Sequence, residues 1–183
     1  MNKLFNLKAA LVAAAMLVLP VAQAATMTKA DYDAGKTRIS ADYKADNAAC
    51  AGQAGNAKDI CVEEAKAKEK VARAELEYAH TGKSGDRNKV LVAKAESAYA
   101  VAKEKCDDQT GNAKDVCVKE AKAIEVKALA DAKMGKEIGE AKTNAAEDKR
   151  DADYKVAIEK CNGLSGDAKA NCVAAAKTKF GKN

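Results

Sequence analysis

Apolar side chains in this chain recur at the spacing of one face of a helix. Two stretches show the pattern, and each ends on a cysteine; in the first, the apolar residues fall within roughly 20° of one another on a helical wheel. The stripes are Tyr32, Ile39, Tyr43 and Cys50, and the wider Val92, Ala95, Tyr99 and Cys106. A glycine-bearing stretch, which typically ends a helix, follows each stripe. An asparagine or aspartate after a glycine then predicts the N-cap of a returning helix, at Asn56, Asn112 and Asp167.

The same unit occurs three times along the chain. In each copy a tyrosine stands seven residues before a cysteine, and a second cysteine follows eleven residues after the first. The three sets are Tyr43, Cys50 and Cys61; Tyr99, Cys106 and Cys117; and Tyr154, Cys161 and Cys172. One turn past the second cysteine, an alanine continues its face, at Ala65, Ala121 and Ala176. The first cysteines are 56 and 55 residues apart, which is the length of a helical-hairpin repeat. We therefore predict an all-α fold of three helix–loop–helix hairpins with long Ala/Lys/Glu-rich helices.

The repeats are expected over residues 25–81, 82–138 and 139–183, the third being shorter. Residues 81–85 form a clear loop between the first two repeats. Residues 134–139, which include two glycines, leave two possibilities open. Either the chain turns there and all three cysteine pairs lie at one end of six helices, or one long helix continues and the molecule is more elongated.

The N-terminal residues have the features of a secretory signal peptide. Lys3 and Lys8 form a basic start, residues 9–19 are an apolar run, and Ala22-Gln23-Ala24 supplies the small residues of a cleavage site. The apolar run is too short for a permanent membrane anchor. We expect residues 1–24 to be removed, leaving no transmembrane segment in a protein that is periplasmic or secreted.

Composition favours long, thin helices over a broad globule. The chain has 183 residues and is 48% hydrophobic, but alanine supplies about half of that figure, and only 4% of residues are aromatic. Leu, Ile, Val and Phe together number 20 among residues 25–183, too few to fill a large core. The abundant Ala, Lys and Glu are strong helix formers. Removing Lys3 and Lys8 lowers the net charge from +5 to +3, so positive and negative charges nearly cancel.

Six paired cysteines in a chain with an export signal point to three disulfides. Fifteen pairings are formally possible, and the repeat favours the local one. The predicted bridges are Cys50–Cys61, Cys106–Cys117 and Cys161–Cys172. Alanine-lined faces allow the close backbone approach that a disulfide needs. Each closed loop of about a dozen residues should stabilise the fold by roughly 3 kcal/mol.

Metal binding and redox exchange are the two other uses that such cysteines could have. A zinc site needs four ligands, whereas each unit offers two cysteines and the chain has a single histidine, His80. Redox-active pairs are more often separated by two residues, although the second cysteine of each pair is expected in the first turns of a helix, which lowers a thiol pKa. We expect no cofactor or metal, and keep a thiol-redox or metal-binding envelope stress protein as the alternative function.

No residue pattern indicates catalysis or nucleic-acid binding. The serines do not join His80 and an acid in a triad pattern. Lysines alternate with Glu and Asp instead of forming a basic face, which argues against nucleic acid as a partner. The repeated tyrosines suit the core of each hairpin, with a ligand-binding stripe as the less favoured interpretation. The chain is therefore not expected to be an enzyme.

The Ala/Lys/Glu-rich helical body over about residues 57–160 resembles the central rod of the TolA cell-envelope proteins. With its paired cysteines, the chain is most similar to small exported Ala/Lys-rich helical repeat proteins of Gram-negative bacteria, often labelled TolA-like. The resemblance implies a non-enzymatic periplasmic protein that acts as an envelope structural or interaction module. It brings no catalytic residues to carry over. The expected partner is an envelope protein or a cell-wall component, and no oligomeric state is implied.

Overall fold

A computed structural model describes residues 27–182, and these residues are helical apart from short connections. The signal peptide predicted over residues 1–24 lies outside them. The elements are α1 (Lys29–Ala49), a short 3-10 turn (Cys50–Gly52), α2 (Gly55–Thr81), α3 (Ser84–Cys106), α4 (Gly111–Asn162) and α5 (Gly166–Phe180). The predicted all-α class, with disulfide-stapled helix–loop–helix units, is confirmed.

Helices that follow one another in the chain are neighbours in space. α2 packs between α1 and α3, α3 packs on the first part of α4, and α5 folds back on the last part of α4. Within residues 27–182, helices that are not consecutive make no packing contact. Connections of two to five residues force each helix to run antiparallel to the one before it. The result is a single layer of four helices with a terminal hairpin.

The buried side chains are small. Ile39 and Val90 are the largest aliphatic residues of the core; the remaining buried apolar residues are Cys50, Cys106, Cys161, Ala65, Ala93, Ala95, Ala121, Ala132 and Ala176. The three alanines predicted to continue the face of the second cysteines, Ala65, Ala121 and Ala176, are all buried. Small side chains allow close helix approach, and Gly35 of α1 shows how close. A Cβ atom there would lie 2.6 Å from Leu76 Cδ1 of α2.

Residues 134–139 continue a helix and do not turn. α4 runs without interruption over 52 residues, about 78 Å at 1.5 Å per residue, so the predicted repeat boundary at residues 138/139 lies inside it. The physical reason is that residues 140–150 contain no large apolar side chain that a returning helix could bury, and all eleven are exposed. A straight helix keeps every backbone hydrogen bond, which outweighs the cost of two glycines, about 1 kcal/mol each.

The continuous α4 separates the third disulfide from the first two. Cys117 and Cys161 lie 44 residues apart on this helix, or about 66 Å. The first two disulfide loops are neighbours, because the Asn56 amide donates hydrogen bonds to the Glu104 carbonyl oxygen (3.0 Å) and to Asp108 Oδ1 (2.8 Å). Of the two arrangements left open by the sequence, the elongated one is therefore found.

The predicted N-caps at Asn56, Asn112 and Asp167 are wrong. Each helix begins at the preceding glycine, and the capping positions are Ala54, Thr110 and Ser165, whose side chains make no capping hydrogen bond. The three glycines have φ between 55° and 58°, a conformation that side-chain-bearing residues rarely adopt. The chain therefore enters each helix two residues earlier than the capping pattern indicates.

Candidate functional site

Each disulfide lies at the closed end of a helical hairpin. The Cα–Cα distances are 5.7 Å for Cys50–Cys61, 5.7 Å for Cys106–Cys117 and 5.6 Å for Cys161–Cys172. The predicted local pairing is confirmed, and all six cysteines are oxidised. The first cysteine of every pair is only 1% exposed, whereas the second is half-buried. Disulfides of this kind form and persist in oxidising compartments.

Most repeated tyrosines contact the neighbouring helix of their own hairpin. The Tyr99 ring lies under the Lys122 ammonium at 4.8 Å from the ring centroid, and Tyr154 meets Phe180 edge to face at 6.1 Å. These contacts agree with the interpretation of the tyrosines as hairpin core. Tyr43 and Tyr99 also line open grooves, which are described below.

Tyr32 and His80 close the opposite end of the first hairpin. Their rings stack with centroids 4.4 Å apart, and the Tyr32 hydroxyl donates a hydrogen bond to Glu77 Oε2. This hydrogen bond, together with partial burial, raises the pKa of the tyrosine hydroxyl. The His80 ring lies 3.0 Å from the main-chain oxygen of Met27 through Nδ1. The single histidine of the chain thus takes part in interhelical packing.

A groove of about 990 Å³ runs along the first three helices, and we call it the α1/α3 groove. α2 forms its floor, and α1 and α3, which do not touch each other, form its walls. Its apolar lining consists of Ile39, Tyr43, Ala45, Ala65, Ala67, Val71, Ala72, Ala98, Val101 and Ala102. The volume and the apolar character are those of ligand or partner sites.

The charged rim of the α1/α3 groove is acidic, although the whole chain is basic. It contains five carboxylates and three lysines, a net charge of −2: Asp42, Asp46, Glu64, Glu69 and Glu75 against Lys68, Lys94 and Lys105. All three lysines are paired with a rim carboxylate on the neighbouring helix: Lys68 with Asp46 at 2.8 Å, and Lys94 with Glu75 and Lys105 with Glu64 at 2.7 Å each. Asp42 makes no ion pair within the described residues. Arg73 pairs with Glu69 at 2.6 Å, so Asp42 is the one rim carboxylate among the described residues without an ion-pair partner, and it favours a cationic occupant.

Ser97 lies in the lining of the α1/α3 groove with an unused hydroxyl. The residue is 6% exposed, and its Oγ atom has no hydrogen-bond partner. Other hydroxyls inside the helices donate to the carbonyl oxygen four residues earlier; these are Thr37, Ser40, Thr143 and Thr178. A buried polar group without a partner costs about 1–3 kcal/mol, so the Ser97 hydroxyl lowers the stability of the fold. Its role was not predictable from the sequence, because nothing local distinguishes it from the other serines.

A second groove of about 550 Å³, the α3/α4 groove, lies between α3 and the first part of α4. Leu91 and Ile124 line it and are 45% and 67% exposed. Glu125 is buried beside it and pairs with Lys122 at 2.5 Å, a hydrogen bond that raises the pKa of the lysine. Three α3 residues, Lys94, Ala98 and Ala102, line both grooves. The two grooves therefore open on the same face of the helix layer.

Two aspartates have lowered pKa values for local reasons. Hydrogen bonds from Lys29 and Lys36 on the same helix lower the pKa of Asp33 to about 2. Asp86 is buried in the first turn of α3, where it accepts a hydrogen bond from the Thr81 hydroxyl (2.6 Å) and pairs with Lys89 (2.8 Å). The lysine and the hydroxyl lower its pKa. The Asp86 contacts hold the connection between α2 and α3.

Among residues 27–182, no three His, Cys, Asp or Glu side chains are grouped so that they could hold a metal ion. No helix in the same range combines the length and apolar character needed to cross a bilayer. No protein-family model, curated protein or solved structure matches this chain.

Proposed function

We propose that this chain is a non-enzymatic interaction module of the bacterial cell envelope, acting in the periplasm or after secretion. The observation that carries the proposal is the single layer of stapled helices, which leaves two apolar grooves open on one face. A bundle of the same four helices would bury this face in its own core. Here the face remains available to a partner, an envelope protein or a cell-wall component.

Two independent features support the proposed compartment. All six cysteines form disulfides, which are characteristic of oxidising compartments, and the N-terminal residues have the features of an export signal. Together they support export from the cytoplasm. The resemblance to small TolA-like envelope proteins supports the periplasm in particular.

The test is capture of the partner by the exported, oxidised protein. A photo-reactive residue placed next to the α3/α4 groove should cross-link a defined component of an envelope extract. Ile124→Glu adds a charge at a 67%-exposed side chain of the groove and should abolish the cross-link. Val126→Glu, at a 54%-exposed side chain that lines neither groove, is the matched control and should leave it intact. Equal capture by both variants would contradict the proposal.

A thiol-redox function is the alternative, and the same exported protein distinguishes it. For an interaction module we expect no free thiol and no exchange with glutathione under native conditions, because one sulfur of each bridge is buried. Thiol labelling followed by mass spectrometry measures both quantities. Rapid exchange at any of the three bridges would replace the interaction proposal with the redox one.

A further inference from the structure

The terminal hairpin carries a second exposed face, and its charge is opposite to that of the α1/α3 groove. One side of α5 forms a shallow open surface, which we call the α5 stripe: Lys169, Ala170, Val173, Ala174 and Lys177. The alanines and both lysines are exposed, and Val173 is half-buried. Apolar groups along the middle are thus flanked by two positive charges. This is the chemistry that an apolar groove with the unpaired rim carboxylate of Asp42 should bind.

The dimensions of the two surfaces also agree. The groove residues cover positions 64–75 of α2 and 94–105 of α3, twelve residues on each helix or about 18 Å. α5 has 15 residues and is about 22 Å long. A helix of small side chains can lie along such a groove and approach its alanine floor closely.

We propose that the α1/α3 groove receives the α5 stripe of a second copy of this chain. This inference rests on the proposed function and deepens it, because it names an occupant for one of the two grooves. The lysines of the stripe lie against the acidic rim, with Asp42 as the unpaired acceptor.

The contact must join two copies because α5 cannot reach its own groove. α5 packs beside the end of α4, where Lys182 pairs with Asp151 at 2.6 Å. α3 places the groove beside the beginning of α4, and the α3/α4 contacts extend to Ala132. The intervening part of α4, between residues 132 and 151, is a continuous helix of about 28 Å that keeps the two apart. Mutual exchange of terminal hairpins between two copies gives a closed two-fold dimer.

The test is the association state of the oxidised, exported chain, measured by sedimentation equilibrium over a wide concentration range. We expect a reversible dimer. Ala174→Glu places a negative charge in the centre of the α5 stripe and should weaken the dimer by at least about tenfold. Ala175→Glu changes the next exposed alanine of the same helix, outside the stripe, and should not. Circular dichroism checks that both variants keep the wild-type helix content.

A charge exchange tests the groove side of the contact. Asp42→Lys removes the unpaired rim carboxylate and should weaken the dimer, and combining it with Lys169→Asp should restore part of the loss. A protein that stays monomeric at all concentrations would overturn the inference, and so would a dimer that tolerates both Ala174→Glu and Asp42→Lys. The proposed function is tested separately, since capture through Ile124 uses the other groove and does not require self-association.

Discussion

Removing the third disulfide should unfold α5 and leave the first two hairpins folded. The change is Cys161→Ala with Cys172→Ala, which keeps good helix formers at both positions. α5 is short, and Ala176 is its only buried residue. The disulfide is therefore its main attachment to α4. Isolated helices of about 12–15 residues are marginal in water, so α5 depends on its attachment to α4.

The magnitude follows from the length of the closed loop. A separation of eleven residues corresponds to a chain-entropy contribution of about 3 kcal/mol at room temperature. Against this loss stand the edge-to-face contact of Tyr154 with Phe180, 6.1 Å between centroids, and the exposed ion pair of Lys182 with Asp151. An exposed pair contributes about 0–1 kcal/mol. The equilibrium between docked and released α5 should therefore shift by roughly a hundredfold.

Hydrogen exchange measured by mass spectrometry reports this equilibrium segment by segment. Peptides from residues 166–180 should lose protection by roughly a hundredfold, while peptides from α1 to α3 keep theirs. The matched control is Cys106→Ala with Cys117→Ala, which opens a loop of the same length. In that variant α3 and α4 should remain helical, because Val90 and several alanines still pack between the helices. Unchanged protection of α5, or unfolding of the whole chain in a single step, would refute the reasoning.

Three further predictions concern single positions. Gly135→Ala should stabilise the protein by up to about 1 kcal/mol in thermal unfolding, because no atom lies near the new Cβ. Gly35→Ala should stabilise it clearly less, because the new Cβ meets Leu76. Equal gains in stability would contradict the close packing of α1 on α2. Asp33 has a pKa of about 2 in the folded protein against about 4 in the unfolded chain, so its stabilising contribution is full above pH 4 and is lost as the pH falls towards 2. Asp33→Asn should therefore flatten the pH dependence of Tm between pH 4 and pH 2. An unaltered pH profile would contradict this prediction. Ser97→Ala should raise the stability of the monomer by about 1 kcal/mol in urea unfolding, because it removes a buried hydroxyl without a hydrogen-bond partner. A loss of stability would show that the hydroxyl is hydrogen-bonded within the monomer.

The three disulfides and their pairing were predictable because the sequence patterns that indicate them are local. A disulfide between Cys50 and Cys61 needs only two helices that reverse direction within a short loop, and the glycine-bearing stretch between them indicates that reversal. Burial of Ala65 was predictable for the same reason, since helical periodicity continues the face of the preceding cysteine. The N-cap at Asn56 was not, because the capping pattern competes with a left-handed glycine, and the side chain is instead used by the neighbouring repeat.

The sequence by itself determined the helical class, the three repeats and the positions of the bridges, since periodicity and covalent spacing are properties of neighbouring residues. Only the tertiary structure decided that α4 runs straight through residues 134–139 and that the first four helices form a single layer. A turn or a second layer would need an apolar helix face to bury, and the described helices do not offer one at the required places. The two grooves and the unpartnered Ser97 hydroxyl result from that layer. They bring together side chains from three helices whose proximity no local pattern encodes.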